Sequence, residues 1–178
     1  MKIQIAGIVR ESVVDGPGIR YVLFAQGCPH NCPECHNPKT HDPAGGREMD
    51  TEEILADLDA QPFVDGVTFS GGEPFCQPEA LLELAKEIKK RDRHLTIYSG
   101  FVYEELKKMG KERPAIQELL ARADLLVDGP FKKDLKDLSL AFRGSANQRL
   151  VDLRASEKAG EVVLWKVQSE EGQVRAKI

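Results

Sequence analysis

No stretch of the 178 residues approaches the ~20 apolar residues of a membrane-spanning helix, which sets integral-membrane functions aside. The amino terminus, MKIQIAGIVRES, has neither a long apolar run nor a small-residue cleavage site, so no signal peptide is expected. Basic residues are not in excess: 25 Lys and Arg stand against 29 Asp and Glu, a formal charge of −4. That balance gives no general electrostatic reason to bind nucleic acid. Internal repeats and low-complexity segments are also missing, which excludes repeat architectures. Cysteine is scarce, with four in all. A chain of this length buries roughly 70% of its unfolded surface and needs no disulfide staples. A cytoplasmic, reducing location is expected, and there clustered cysteines bind metal more often than they pair.

What is present is a regular alternation. RYVLFAQG (20–27), GVTFS (66–70), HLTIYS (94–99) and DLLVD (124–128) are short apolar runs that predict buried strands. Between them, TEEILADL is predicted as a helix capped by Asp50 or Thr51, with Glu53 placed to reach back to Asp50. PEALLELAKEIKKRD puts Leu81, Leu84, Ala85 and Ile88 on one face, and Pro114 suits the first position of a helix carrying Ile116, Leu119 and Leu120. Strand–helix alternation of this kind implies βαβ units and a mainly parallel sheet in a single α/β domain.

The unusual residues all come directly after strands. GCPHNCPECHNP (27–38) comes after the first, SGGEPFCQP after the second, YSGF after the third and VDGPF after the fourth. In a parallel sheet or barrel these loops lie along one rim, at the carboxyl ends of the strands, and converge on one cleft.

Cys28, Cys32 and Cys35 crowd into eight residues of that first loop, whereas Cys76 is remote and reads as a buried free thiol. Structural zinc asks for four ligands, commonly in two pairs, and His30, His36, His41 or Cys76 would have to complete the set. An iron–sulfur cluster held by thiolates fits three cysteines better: three irons of a 4Fe-4S cube are held and one is left open for a substrate.

With GGEP after the second strand, this C-x3-C-x2-C loop resembles the radical S-adenosylmethionine superfamily. DGPGIR (15–20), VDGPF and FRGSANQR (142–149) extend the resemblance to the activases of anaerobic ribonucleoside-triphosphate reductase, over about residues 5–154. Glu34 departs from that pattern, which has an aromatic or small residue before the third cysteine. The resemblance implies an incomplete parallel (βα) barrel of the radical SAM type over 1–154, with a carboxyl-terminal extension, 155–178. It implies a 4Fe-4S cluster on Cys28, Cys32 and Cys35, with the open iron chelated by S-adenosylmethionine (SAM). One electron then cleaves the sulfonium to methionine and a 5′-deoxyadenosyl radical, which takes hydrogen from a glycine of the reductase. Implied partners are the reductase's glycyl-radical subunit and an electron donor such as a flavodoxin or ferredoxin.

By the same resemblance Gly71, Gly72 and Glu73 meet the SAM amino group. Backbone around Glu34, Cys35 and His36 lies against the adenine, and Ser99 faces the carboxylate or ribose. Each also has a plainer role, as part of a tight turn or a solvated loop. Arg20 suits a carboxylate or a surface ion pair, and Arg143 and Arg149 suit either a grip on an incoming peptide or a structural cap. No general base is needed, because the abstracting species comes from SAM. Two alternatives stay open: a radical SAM enzyme acting on a small molecule, such as a 7-carboxy-7-deazaguanine synthase-like reaction, and a non-catalytic iron–sulfur or zinc module. In the tail, EVVLWKV and GQVRAKI are spaced as a β-hairpin, with Trp165 free to cover a sheet edge or meet a partner.

Overall fold

The apolar runs become strands, and their period-two alternation sorts two faces. The computed structural model describes residues 1–166. Its sheet contains β1 (Lys2–Ser12), β2 (Arg20–Ala25), β3 (Arg47–Asp50), β4 (Gly66–Gly71), β5 (His94–Ser99), β6 (Leu125–Asp128) and β7 (Arg149–Asp152). The spatial order is β3-β1-β2-β4-β5-β6-β7. β2, β4, β5 and β6 pair in parallel, while β1 and β3 on one side and β7 on the other are antiparallel. The sheet is therefore mixed rather than mainly parallel: four expected strands form its centre, and β1, β3 and β7 extend it.

Helices α1 (Thr51–Asp59), α2 (Pro78–Lys90), α3 (Tyr103–Glu112), α4 (Pro114–Arg122) and α5 (Leu153–Ala159) supply the second layer. Pro78 and Pro114 occupy first helical positions, where a missing N–H costs nothing. Asp50 precedes α1 but makes no side-chain cap; the Thr51 hydroxyl instead meets the amino-terminal amine at 2.9 Å. Because the parallel strands succeed one another in space as in sequence, crossovers of one hand put the connecting helices on one face. The main core confirms it: Leu23, Phe69 and Ile97 of the strands pack with Leu81, Leu84 and Leu119 of the helices.

The other face is more polar, with Thr68 and Thr96 fully buried. The DGPG turn folds against it, where Thr68 Oγ1 donates to Asp15 O at 2.8 Å. Arg20 neither grips a carboxylate nor pairs at the surface. It is fully buried and donates to Thr68 Oγ1 (3.1 Å), Thr96 Oγ1 (3.2 Å) and the carbonyls of Pro17 (3.1 Å), His94 (3.1 Å) and Val67. Burial lowers its pKa to about 10, so it remains a cation, tying together the amino ends of β2, β4 and β5. The chemistry-bearing loops are at the opposite ends of these strands.

The boundary at 154/155 falls inside α5. The described part of the expected terminal hairpin runs beside β7: Trp165 N donates to Leu150 O at 2.8 Å, and Leu164 bridges Val151. Trp165 thus covers a sheet edge, 6.2 Å from the Phe142 ring. The second arm, 172–178, lies outside the described residues. No helix among those residues is long and apolar enough to cross a membrane.

Candidate functional site

The cysteine loop leaves β2 and is closed at its base. Gly27 N donates to Thr40 O at 2.8 Å and Cys28 N to His41 O at 3.1 Å, so the segment between returns to where it began. Gln26 fastens the same base with bonds to Lys39 O (2.9 Å) and Asp42 O (2.6 Å). Within the loop, Asn31 and Glu34 adopt positive φ of 47° and 54° on either side of Cys32. These two left-handed turns cost backbone energy that only a specified loop sustains. Their result is that Cys28, Cys32 and Cys35 face one cavity of about 240 Å³ as free, partly exposed thiols.

Three further loops reach that cavity, as expected of loops on one rim. Gly71 and Gly72 enter it from β4, Ser99 and Gly100 from β5, and Gly129 and Phe131 from β6. Of the residues expected at the site, the cavity brings together the three cysteines, His36, Gly71, Gly72 and Ser99. Glu34 and Glu73 do not line it. The Glu34 carboxylate is exposed and ion-paired to Lys133, while Phe131 lies 5.0 Å from the His36 ring, so the VDGPF loop closes over the cysteine loop.

Glu73 is fully buried, and its carboxylate is saturated with donors. Phe75 N (3.0 Å), Ser99 Oγ (3.0 Å), Gly100 N (2.9 Å) and His30 Nε2 (2.8 Å) all reach it. A carboxylate has about four acceptor sites, so none is left over. Of the glycines before it, Gly71 is close-packed on the end of β2 and Gly72 on the base of the cysteine loop. Gly71 has φ of +94°, and a Cβ there would stand 2.7 Å from Ala25 O. At Gly72 a Cβ would overlap the Gly27 carbonyl oxygen and come within 3.0 Å of Thr40 O.

The arginines of FRGSANQR have different fates. Arg149 binds Asp128 through Nε (2.9 Å) and Nη2 (2.6 Å) and also reaches Glu104 (2.7 Å). It is a structural clamp on a fully buried carboxylate. Arg143 Nη1 donates to Gln148 O at 3.2 Å. Gln148 lines the cavity and braces the segment, accepting from Gly144 N at 2.9 Å and donating to Gly129 O at 3.0 Å. Cys76 is exposed rather than buried; desolvation first, then Glu73, pushes its thiol up to about 11. It does not line the cavity.

Sequence reading did not single out Asp15, Phe131 or Gln148 as lining residues, and weighed His30 and His41 only as ligands that could complete a zinc site. Asp15, Phe131 and Gln148 sit in the quoted motifs, but nothing local says which motif side chains turn inward.

The donor set fits an iron–sulfur cluster. Asn37 N donates to Cys35 Sγ at 3.4 Å, the kind of N–H···S bond that stabilises cluster thiolates. Burial raises the Cys28 thiol, and the backbone amides of His30 and Asn31 oppose that rise. His41 Nε2 is buried at the cavity without a hydrogen-bond partner among the described residues. No three His, Cys, Asp or Glu side chains among those residues converge on a single-ion site. A cluster takes one thiolate per iron and asks for thiols set around a space instead.

Comparison with known proteins agrees. Residues 14–151 match the 4Fe-4S single cluster domain. The pyruvate formate-lyase-activating enzyme of Clostridium pasteurianum is 45% identical over 114 residues, 59% of this chain. The chain spans only about half of that relative, 48% of its length. The anaerobic ribonucleoside-triphosphate reductase-activating protein of Enterobacteria phage T4 is 33% identical over 143 residues, covering 77% of this chain and 86% of its own. Its namesake in Escherichia coli (strain K12) is 33% identical over 150 residues, covering 80% and 94%.

Proposed function

Since the chain belongs to the 4Fe-4S single-cluster domain family and to that of the anaerobic ribonucleoside-triphosphate reductase-activating proteins, we propose that it is a radical SAM activase that installs a glycyl radical on such a reductase. The observation that carries this reading is the shared cavity: three free thiols face Gly71, Gly72 and Ser99 across the carboxyl rim of four parallel strands. The one-handed order of those strands, with helices on a single face, supports an incomplete (βα) barrel as the finer description of the sheet.

Cys28, Cys32 and Cys35 would hold a 4Fe-4S cluster, three thiolates for four irons, which would leave one iron for SAM. When bound, cluster and SAM together supply a carbon-centred radical from a one-electron donor such as a flavodoxin or ferredoxin. The chain's own residues bind, orient and shield. Backbone at Gly71 and Gly72 receives the SAM amino group, and Glu73, with its acceptors filled, holds that loop in place. Backbone near Glu34, Cys35 and His36 flanks the adenine, with the Phe131 ring 5.0 Å from that of His36. Ser99 lies toward the carboxylate or ribose. A cytoplasmic, reducing setting keeps the thiols free.

The cavity is open at the rim of the sheet, and among the described residues no further domain closes over it, which favours an incoming protein loop over an enclosed small molecule as substrate. The test is anaerobic: iron-reconstituted, reduced protein should cleave SAM to 5′-deoxyadenosine and methionine. Stoichiometric zinc with no iron or sulfide in anaerobically purified protein would end this reading.

A further inference from the structure

One side chain of the cysteine loop is neither a thiol nor a solvated bystander. His30 stands midway between Cys28 and Cys32, yet its ring turns away from solvent, with 16% of the side chain exposed. Its Nε2 meets Glu73 Oε2 at 2.8 Å, and its edge packs on Phe101 with ring centroids 4.4 Å apart at 68°. The space around the ring is filled: a Cβ at Gly100 would run into it. Glu73 is the common acceptor for the loop after β5, through Ser99 Oγ and Gly100 N, and for its own turn, through Phe75 N. His30 is the one cysteine-loop side chain among the described residues that reaches this carboxylate.

We infer that His30 is a positioning residue, which through Glu73 locks the cysteine loop to the loops after β4 and β5. This rests on the activase reading for its purpose: the loop that holds iron must keep register with the loops that hold SAM. A mismatch of about 1 Å between them is enough to disorder such a site. The bond spans 43 positions of sequence and joins a partly covered ring to a fully buried carboxylate, where a hydrogen bond is strengthened by its low-dielectric surroundings. Gly27 makes a second, backbone link to the same turn by accepting from Glu73 N at 2.8 Å. That link fixes the backbone at the base of the cysteine loop; His30 adds a side-chain link from the first turn beyond it.

The test compares full-length wild type, His30→Ala and His30→Gln, first metal-free and then reconstituted with iron. In metal-free protein, amide hydrogen exchange over residues 28–36 is measured against β4, β5 and β6 as internal reference. His30→Ala should speed exchange in 28–36 by roughly tenfold and leave the three strands unchanged, because one outer-shell hydrogen bond is lost and the core is not. His30→Gln should restore protection, since its carboxamide N–H reaches near the Nε2 position. After reconstitution, SAM binding is read from the change it causes in the reduced cluster's electron paramagnetic resonance. His30→Ala should bind SAM about tenfold more weakly at equal iron content, and His30→Gln near normally. Wild-type exchange and SAM affinity in His30→Ala would overturn the inference. So would faster exchange throughout the chain without rescue by Gln, which marks a residue that merely supports the fold. Should wild type take up no iron, the activase reading fails, while the metal-free exchange still decides whether His30 locks the loop.

Discussion

Replacing Gly72 by alanine probes how the two halves of the site are joined. Were this glycine only a place where SAM approaches the backbone, a side chain there would weaken SAM binding and spare the cluster. The packing says otherwise. The added Cβ overlaps the Gly27 carbonyl oxygen and lies 2.9 Å from the Gly27 carbon and 3.0 Å from Thr40 O. All three are backbone atoms of the loop base, and they must retreat by roughly 1 Å to reach van der Waals contact. That movement strains the Glu73 N–Gly27 O and Gly27 N–Thr40 O bonds, both 2.8 Å. Overpacking costs about 1–3 kcal/mol, and a weakened buried hydrogen bond adds about 1 kcal/mol. A total near 3 kcal/mol lowers Tm by about 6–12 °C in a domain of this size. The assay pairs thermal melting of metal-free protein with iron per chain after reconstitution. Gly7→Ala serves as control, because nothing lies within 4 Å of its Cβ. Gly72→Ala should lose both stability and iron. Normal melting and normal iron, with only SAM affinity reduced, would mean that Gly72 meets SAM and does not hold the loop base.

Replacing Cys28, Cys32 or Cys35 by Ala should abolish the 4Fe-4S absorbance after reconstitution, while Cys76→Ala, outside the cavity, should retain it. The Cys76 thiol, pushed up to about 11, is protonated at neutral pH. Its alkylation by iodoacetamide, tracked by peptide mass, should be slow at pH 8 and still rising tenfold per unit above pH 9. A plateau near pH 9 would show an ordinary thiol. Arg149→Ala should destabilise by about 2–3 kcal/mol, a figure discounted because Arg149 is 31% exposed, since buried Asp128 loses its cation and keeps only the Tyr103 N donor. Denaturant melts should register that loss, whereas Arg143→Ala should change stability by less.

The central strands were legible because each is an apolar run ended by glycine or a charged residue. β1 was not: Ile3 and Ile5 are buried, but Val9 is 43% exposed, so no single period runs its length. β3 (REMD) and β7 (RLVD) are four residues each and exist through pairing with β1 and β6 rather than through any pattern of their own. The thiols were legible from local spacing, and the rim from the glycine- and cysteine-rich loops at the strand ends. The destinations of single polar side chains were not. Nothing near Arg20 announces that its donors meet the carbonyls of Val67 and His94 on neighbouring strands. Nothing near Arg149 points back to Asp128, and nothing near His30 points on to Glu73. Such bonds are products of the tertiary fold.

This chain is expected to make a radical on another protein, and that product can be seen spectroscopically. Reduced, iron-reconstituted protein is mixed with SAM and the anaerobic ribonucleoside-triphosphate reductase of the same source, and the electron paramagnetic resonance spectrum is recorded. A glycyl doublet, split by the one remaining α-hydrogen and lost on replacing the reductase's radical glycine by alanine, is the expected result. SAM cleaved at full rate beside the native reductase with no doublet would contradict that expectation.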